Sequence, residues 1–122
     1  MITEDYVSFE TAKLLKEQGF KIPYDSFRGV YINGIFKRLN PGDAYGYNLG
    51  DEIVEVCSLQ MVMKWLREEK NIIINVWYNG VDWDAEYYNN EDENFYLITD
   101  FSCNSYEEAA EAGIKYCLEK LI

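Results

Sequence analysis

The residues best placed to do chemistry are three acids at alternate positions, Asp82, Asp84 and Glu86, within the stretch NVWYNGVDWDAEYYN from Asn75 to Asn89. Carboxylates at i and i+2 of an extended strand share one face, about 7 Å apart. Such a row offers two chemistries: oxygen ligands for a hard divalent cation, or a pair that divides acid and base roles. Calcium wants roughly 6 to 8 converging oxygens, which a flat strand does not supply, and an open strand lacks the pocket that tunes a catalytic carboxylate. The row is therefore expected to be the wet side of a two-sided hairpin, acting through its field. No catalytic residue, metal ligand or cofactor is expected. Trp77 lies on the same predicted face, where an aromatic serves as an interface anchor. With the helix acids Glu107, Glu108 and Glu111, the set Trp77, Asp82, Asp84 and Glu86 makes the candidate partner-binding surface.

What the chain lacks narrows the chemistry further. It has no histidine, which removes Ser-His-Asp and Cys-His nucleophile systems and His-ligated zinc. It has no GxxxxGK[ST] and no Gly-rich strand-to-helix turn of the dinucleotide type. Cys57, Cys103 and Cys117 are an odd count without CxxC spacing, pointing to reduced thiols. Cys57 and Cys117 fall at a helix cap and on a helical core face, with no base to make a thiolate. The first residues, MITEDYVSFE, carry acids where an export signal has bases and an apolar run. A cytoplasmic, non-membrane protein is the expectation.

Charge is unevenly spread. The net value is −11, and from Asn71 to Ile114 there are ten acids and no Lys or Arg. A field of one sign attracts basic partners and repels nucleic acid, so direct DNA or RNA binding is not expected. Eleven tyrosines are the other excess. Tyr45, Tyr47, Tyr87, Tyr88 and Tyr96 suit a sugar- or partner-binding surface, although strand propensity accounts for them equally well.

These side chains are positioned by the elements that periodicity and turn chemistry predict. In SFETAKLLKEQGF, Ser8 caps a first helix and Gly19 supplies the left-handed residue after it. DSFRGVYINGIFKRLN centres on Asn33-Gly34, a hairpin signal that pairs Ile32 with Ile35 and Tyr31 with Phe36. Residues 40–52 read as a mobile loop. In CSLQMVMKWLREEKN, Ser58 caps a second helix whose apolar face is Leu59, Val62, Met63 and Leu66, widened by Met61 and Trp65. A two-residue Asn79-Gly80 turn then pairs Tyr78 with Val81, Val76 with Trp83 and Ile74 with Ala85 on the core face. On the other face it sets Trp77 against Asp82, Asn75 against Asp84 and Ile73 against Glu86. A third strand is expected from Asn94 to Phe101. A last helix opens on Ser105 with a capping box to Glu108 and turns Ala110, Ile114, Cys117 and Leu121 inward. The predicted fold is one α+β domain over residues 1–122: helix, β-hairpin, helix, three-stranded antiparallel meander, helix, with the helices on one face of the sheet.

The segments VSFETAKLLKEQGF, LQMVMKWLREEKNI and SYEEAAEAGIKYCLEKLI resemble a group of small uncharacterised proteins of gut Bacteroides genomes, prophages and mobile elements. That resemblance implies a phage-type origin and no catalytic residues. The order from Ser58 to Leu121 is also similar to that of a double-stranded-RNA-binding domain. Such domains carry a Lys cluster at the start of the last helix, where this chain has Glu107, Glu108 and Glu111. The function expected is a small acidic protein-interaction domain that is not an enzyme and has a basic protein partner. The alternatives are a nucleic-acid mimic inhibiting a host DNA-binding protein, and a weak carboxylate-based metal-binding or hydrolytic enzyme.

Overall fold

The computed structural model describes residues 5–22, 26–99 and 102–122. Asp25, at the start of the predicted hairpin segment, and Asp100 and Phe101, at the end of the predicted third strand, lie outside the described residues. The fold is α+β, with three helices and two three-stranded antiparallel sheets. The chain divides into two compact units, Met1–Ser58 and Leu59–Ile122.

In the first unit, α1 (Phe9–Glu17) begins where the Ser8 hydroxyl accepts from the Thr11 N–H. It ends with Gly19 at φ 79°, which lets the Phe20 N–H reach back to the Leu15 carbonyl. β1 (Arg28–Ile32) and β2 (Ile35–Leu39) form the predicted hairpin, with Ile32 opposite Ile35 and Tyr31 opposite Phe36. Asn33 and Gly34 both take positive φ, as a type I′ turn requires. β3 (Ile53–Val56), absent from the sequence reading, pairs antiparallel with β1 and completes a sheet of order β2-β1-β3. Gly29 lets the Phe36 ring cross the sheet closely: a Cβ there would lie 2.3 Å from the ring edge. The ring packs against Tyr6 and Tyr31, with centroids 5.5 and 5.3 Å away.

In the second unit, α2 (Leu59–Glu69) buries Leu59, Val62, Met63 and Leu66, as their spacing predicts. The stripe is narrower than expected, since Met61 is exposed and Trp65 half-buried. β4 (Ile73–Tyr78), β5 (Trp83–Asn89) and β6 (Asn94–Leu97) follow as a meander in chain order. α3 (Tyr106–Lys120) starts at Ser105, whose hydroxyl accepts from the Glu108 N–H, while the Glu108 carboxylate accepts from the Asn104 N–H. This helix buries Ala110, Ile114 and Cys117. Leu121, predicted to point inward, is exposed because the helix ends at Lys120 and its stripe does not continue.

The register of β4 on β5 corrects the sequence reading. Tyr78 pairs with Trp83 and Val76 with Ala85, two residues away from the expected alignment. The connection is the four-residue loop Asn79–Asp82. In it the Asn79 N–H donates to the Asp82 carbonyl, and Asn79 Oδ1 accepts from the N–H groups of Val81 and Asp82, each at 2.9 Å. The side chain thus substitutes for a backbone acceptor, a use to which Asn is well suited. A shift of two preserves the faces of the paired residues, but Val81, expected on the core face, falls in the loop and is exposed. Val76 and Trp83 still share the core side, packed on buried Ala85, Cys103 and Ala109. Gly113 lets α3 approach this side, its missing Cβ leaving Ile74 and Ala85 at 3.2 and 3.4 Å.

Candidate partner-binding face and groove

Alternation along β4, β5 and β6 sends Ile73, Asn75, Trp77, Asp84, Glu86, Tyr88, Phe95 and Leu97 to the side of the sheet away from α3. Three of these are large and open: Trp77 is 36% exposed, Phe95 54% and Leu97 62%. Trp77 stands opposite Asp84, while Glu86 stands between Asn75 and Leu97. The face is therefore apolar at both edges with carboxylates along its middle strand. Phe95 and Leu97 were not among the predicted site residues. Their alternation with Tyr96 was legible, but only the position of α3 decides which side is left open.

The acid row is only partly a wet face. Asp84 is half-buried, and its Oδ1 accepts from the Thr99 hydroxyl at 2.8 Å while its Oδ2 accepts from Asn79 Nδ2 at 2.8 Å. Thr99 is 2% exposed, and its Oγ1 accepts in turn from the Ala85 N–H at 3.2 Å. The Thr99 hydroxyl thus replaces a backbone acceptor where β6 gives out after Leu97, and Asp84 holds that hydroxyl in place. Asp82 shares the same amide, with Asn79 Nδ2 at 2.6 Å. Hydrogen bonds from Ser102, and then from Asn79, hold the Asp82 carboxyl below the usual carboxylate range. Two of the three acids fasten the hairpin end, and Glu86 is left to the open face.

The predicted partner-binding set separates along these lines. Trp77, Asp84 and Glu86 share the outer face, and Asp82 sits in the loop at its end. Glu107, Glu108 and Glu111 lie on α3, against the opposite side of the sheet. Glu108 is near the hairpin end: burial, and then the carboxylates of Glu108, Asp84 and Asp82, push the Cys103 thiol up. Burial alone pushes the Cys117 thiol to about 12, so neither sulfur is poised as a thiolate. Cys57, Cys103 and Cys117 are all buried, and none forms a disulfide. Among the described residues no three carboxylates or thiols converge as a metal cluster would require.

The tyrosines do not form one surface. Tyr87 stacks between Tyr96 and Tyr116 on the α3 side, with ring centroids 5.4 and 5.9 Å away, while Tyr88 packs on Phe95 on the other side. Tyr45 and Tyr47 belong to the first unit, where they help line a groove of about 540 Å³. α1 contributes Leu15 and the segment after it Phe20 and Ile22 to this groove, and β3 contributes Ile53 and Glu55. Lys16 and Lys21 complete it. A smaller cavity of about 300 Å³ lies beside Tyr87 and Tyr88 in the second unit. Neither cavity is lined by any of the seven predicted site residues.

Glu55 is held by its neighbours. Arg28, 1% exposed, places Nε 3.3 Å from one carboxylate oxygen, and the Tyr45 hydroxyl donates to the other at 2.9 Å. The same guanidinium donates to the Asp43 carbonyl at 2.5 Å, tying the loop after β2 to the sheet. Burial, and then the Glu55 carboxylate that it faces, push the Tyr45 phenol up to about 12.

No helix among the described residues is long and apolar enough to cross a membrane. Comparison with protein-family models, with curated proteins and with solved structures finds no match to this chain.

Proposed function

We propose that this protein is a small, non-enzymatic protein-interaction domain of phage or mobile-element type, working in the cytoplasm. Its partner presents a basic, partly apolar segment to the outer face of the second sheet. The observation that supports this reading is the exposure of Trp77, Phe95 and Leu97 beside Asp84 and Glu86, in a stretch without a single Lys or Arg. Aromatic and aliphatic side chains of this size are what interface centres are made of, and flanking carboxylates select cationic neighbours. An enzymatic role has less support, because Asp82 and Asp84 are engaged in turn hydrogen bonds and line neither cavity. A nucleic-acid mimic needs carboxylates displayed like a row of phosphates. Here Asp82 and Asp84 converge on one amide and Glu108 caps α3, which favours the peptide-like partner.

Selection of a random displayed peptide library on the full chain, with a Trp77→Ala/Leu97→Asp variant as counter-selection, tests the proposal. Enriched peptides should combine Lys or Arg with aromatic or aliphatic residues, and should ignore the variant. Enrichment of acidic or uncharged peptides, or equal binding to the variant, would count against it.

A further inference from the structure

The groove of the first unit has a charge opposite to that of the chain as a whole. Among the described residues Glu55 is its one acidic lining residue, and that carboxylate is already balanced by buried Arg28 and bonded by Tyr45. Two ammonium groups remain. Lys16 spends one donor on the Ile53 carbonyl at 2.9 Å, leaving two, since an ammonium has three. Lys21 has no ion pair or hydrogen bond among the described residues, and neither does the Tyr47 hydroxyl have a hydrogen-bond partner there. These cations are not consumed by the end of α1. The carbonyls of Leu14, Leu15 and Lys16 already accept from the N–H groups of Gln18, Gly19 and Phe20. The rest of the lining is apolar: Leu15, Phe20, Ile22, Ile53 and the Tyr45 ring.

We propose that this groove binds a small amphipathic carboxylate, an acid with one anionic head and a short apolar body. The head meets Lys16, Lys21 and the Tyr47 hydroxyl, and the body lies along Leu15, Phe20 and Ile53. The volume is within the range of small-molecule sites, and the mixture of an apolar lining with a few polar groups is their usual composition. A polyphosphate would want a glycine-rich turn or helix N-terminus offering backbone N–H groups, and the helix end here is the carbonyl one. A cationic ligand would face two ammonium groups with the only acid of the described lining already paired.

The test is an NMR titration of the ¹⁵N-labelled full chain with hexanoate and octanoate, using 1-octanol and octylammonium as comparators. The carboxylates should give saturable shifts at the amides of residues 15–22, 45–47 and 53–55, with octylammonium and octanol weaker by roughly tenfold, the scale of one charge-assisted contact. Lys21→Gln, an exposed change that leaves the rest of the spectrum in place, should weaken octanoate by about fivefold or more. Tyr47→Phe should act in the same direction. Equal affinity for octanol and octanoate would overturn the proposal, as would shifts confined to other residues, no saturable shift, or indifference to Lys21→Gln.

Discussion

Replacing Asp84 separates an acid that is hydrogen-bonded into the fold from Glu86, which is equally half-buried but has no such bond among the described residues. Asp84→Ala removes two hydrogen bonds to an ionised carboxylate, from Thr99 and from Asn79, each 2.8 Å long. Bonds to charged groups contribute about 1.5–3 kcal/mol each when buried, and half-burial of Asp84 reduces that. The change also leaves the Thr99 hydroxyl, which is buried, without an acceptor. A loss of about 2–4 kcal/mol is expected. Asp84→Asn keeps the shape and one acceptor oxygen but not the charge, and should cost about 1–2 kcal/mol. Glu86→Gln, which breaks no hydrogen bond or ion pair among the described residues, should stay within about 0.5 kcal/mol. All three tryptophans, Trp65, Trp77 and Trp83, lie in the second unit, so their fluorescence during urea unfolding reports on that unit. The midpoint for Asp84→Ala should fall by on the order of 1–3 M urea. If Asp84→Ala cost no more than Glu86→Gln, the assignment of Asp84 as the acceptor that fixes the Thr99 hydroxyl would be refuted.

Leu66→Ala, fully buried in α2, should cost about 2–5 kcal/mol, while Met61→Ala one face away should cost under about 1, both read by the same fluorescence. Because the Asp82 carboxyl is held below its unfolded value, its contribution is complete above about pH 4 and is lost as pH falls through the folded value. Urea midpoints of the second unit measured from pH 6 to pH 2 should therefore decline at the acid end, and Asp82→Asn should lessen that decline.

How much of this was legible in the sequence depended on whether the determining contact was local. The first hairpin was readable because Asn33 and Gly34 both adopt positive φ, which their residue types favour. The same dipeptide at Asn79-Gly80 behaves differently, since Asn79 is absent from the positive-φ residues and uses its amide to bind Asp82 and Asp84. Period-two alternation survives a shift of two, so the faces were right from Trp83 onward although the pairs were not, and Val81 and Asp82, read as strand, belong to the loop. β3 has four residues and a partner some twenty positions upstream, with no turn between them to announce the pairing. The groove has no local signature at all: its lining comes from the end of α1, from Tyr45 and Tyr47, and from β3. The acid row was read as uniform because spacing cannot show that Thr99 and Asn79 reach two of its members and not the third.

The central claim is that Trp77, Phe95 and Leu97 form the contact surface for a basic partner segment. Its most direct test is the affinity of the best selected Lys/Arg-bearing peptide for the full chain and for Trp77→Ala, measured by calorimetry at low and high salt. The account predicts a loss of about thirtyfold for Trp77→Ala, equivalent to roughly 2 kcal/mol, and weaker binding to both proteins as salt is raised past ~0.15 M. Unchanged affinity for Trp77→Ala, or binding indifferent to salt, would contradict it.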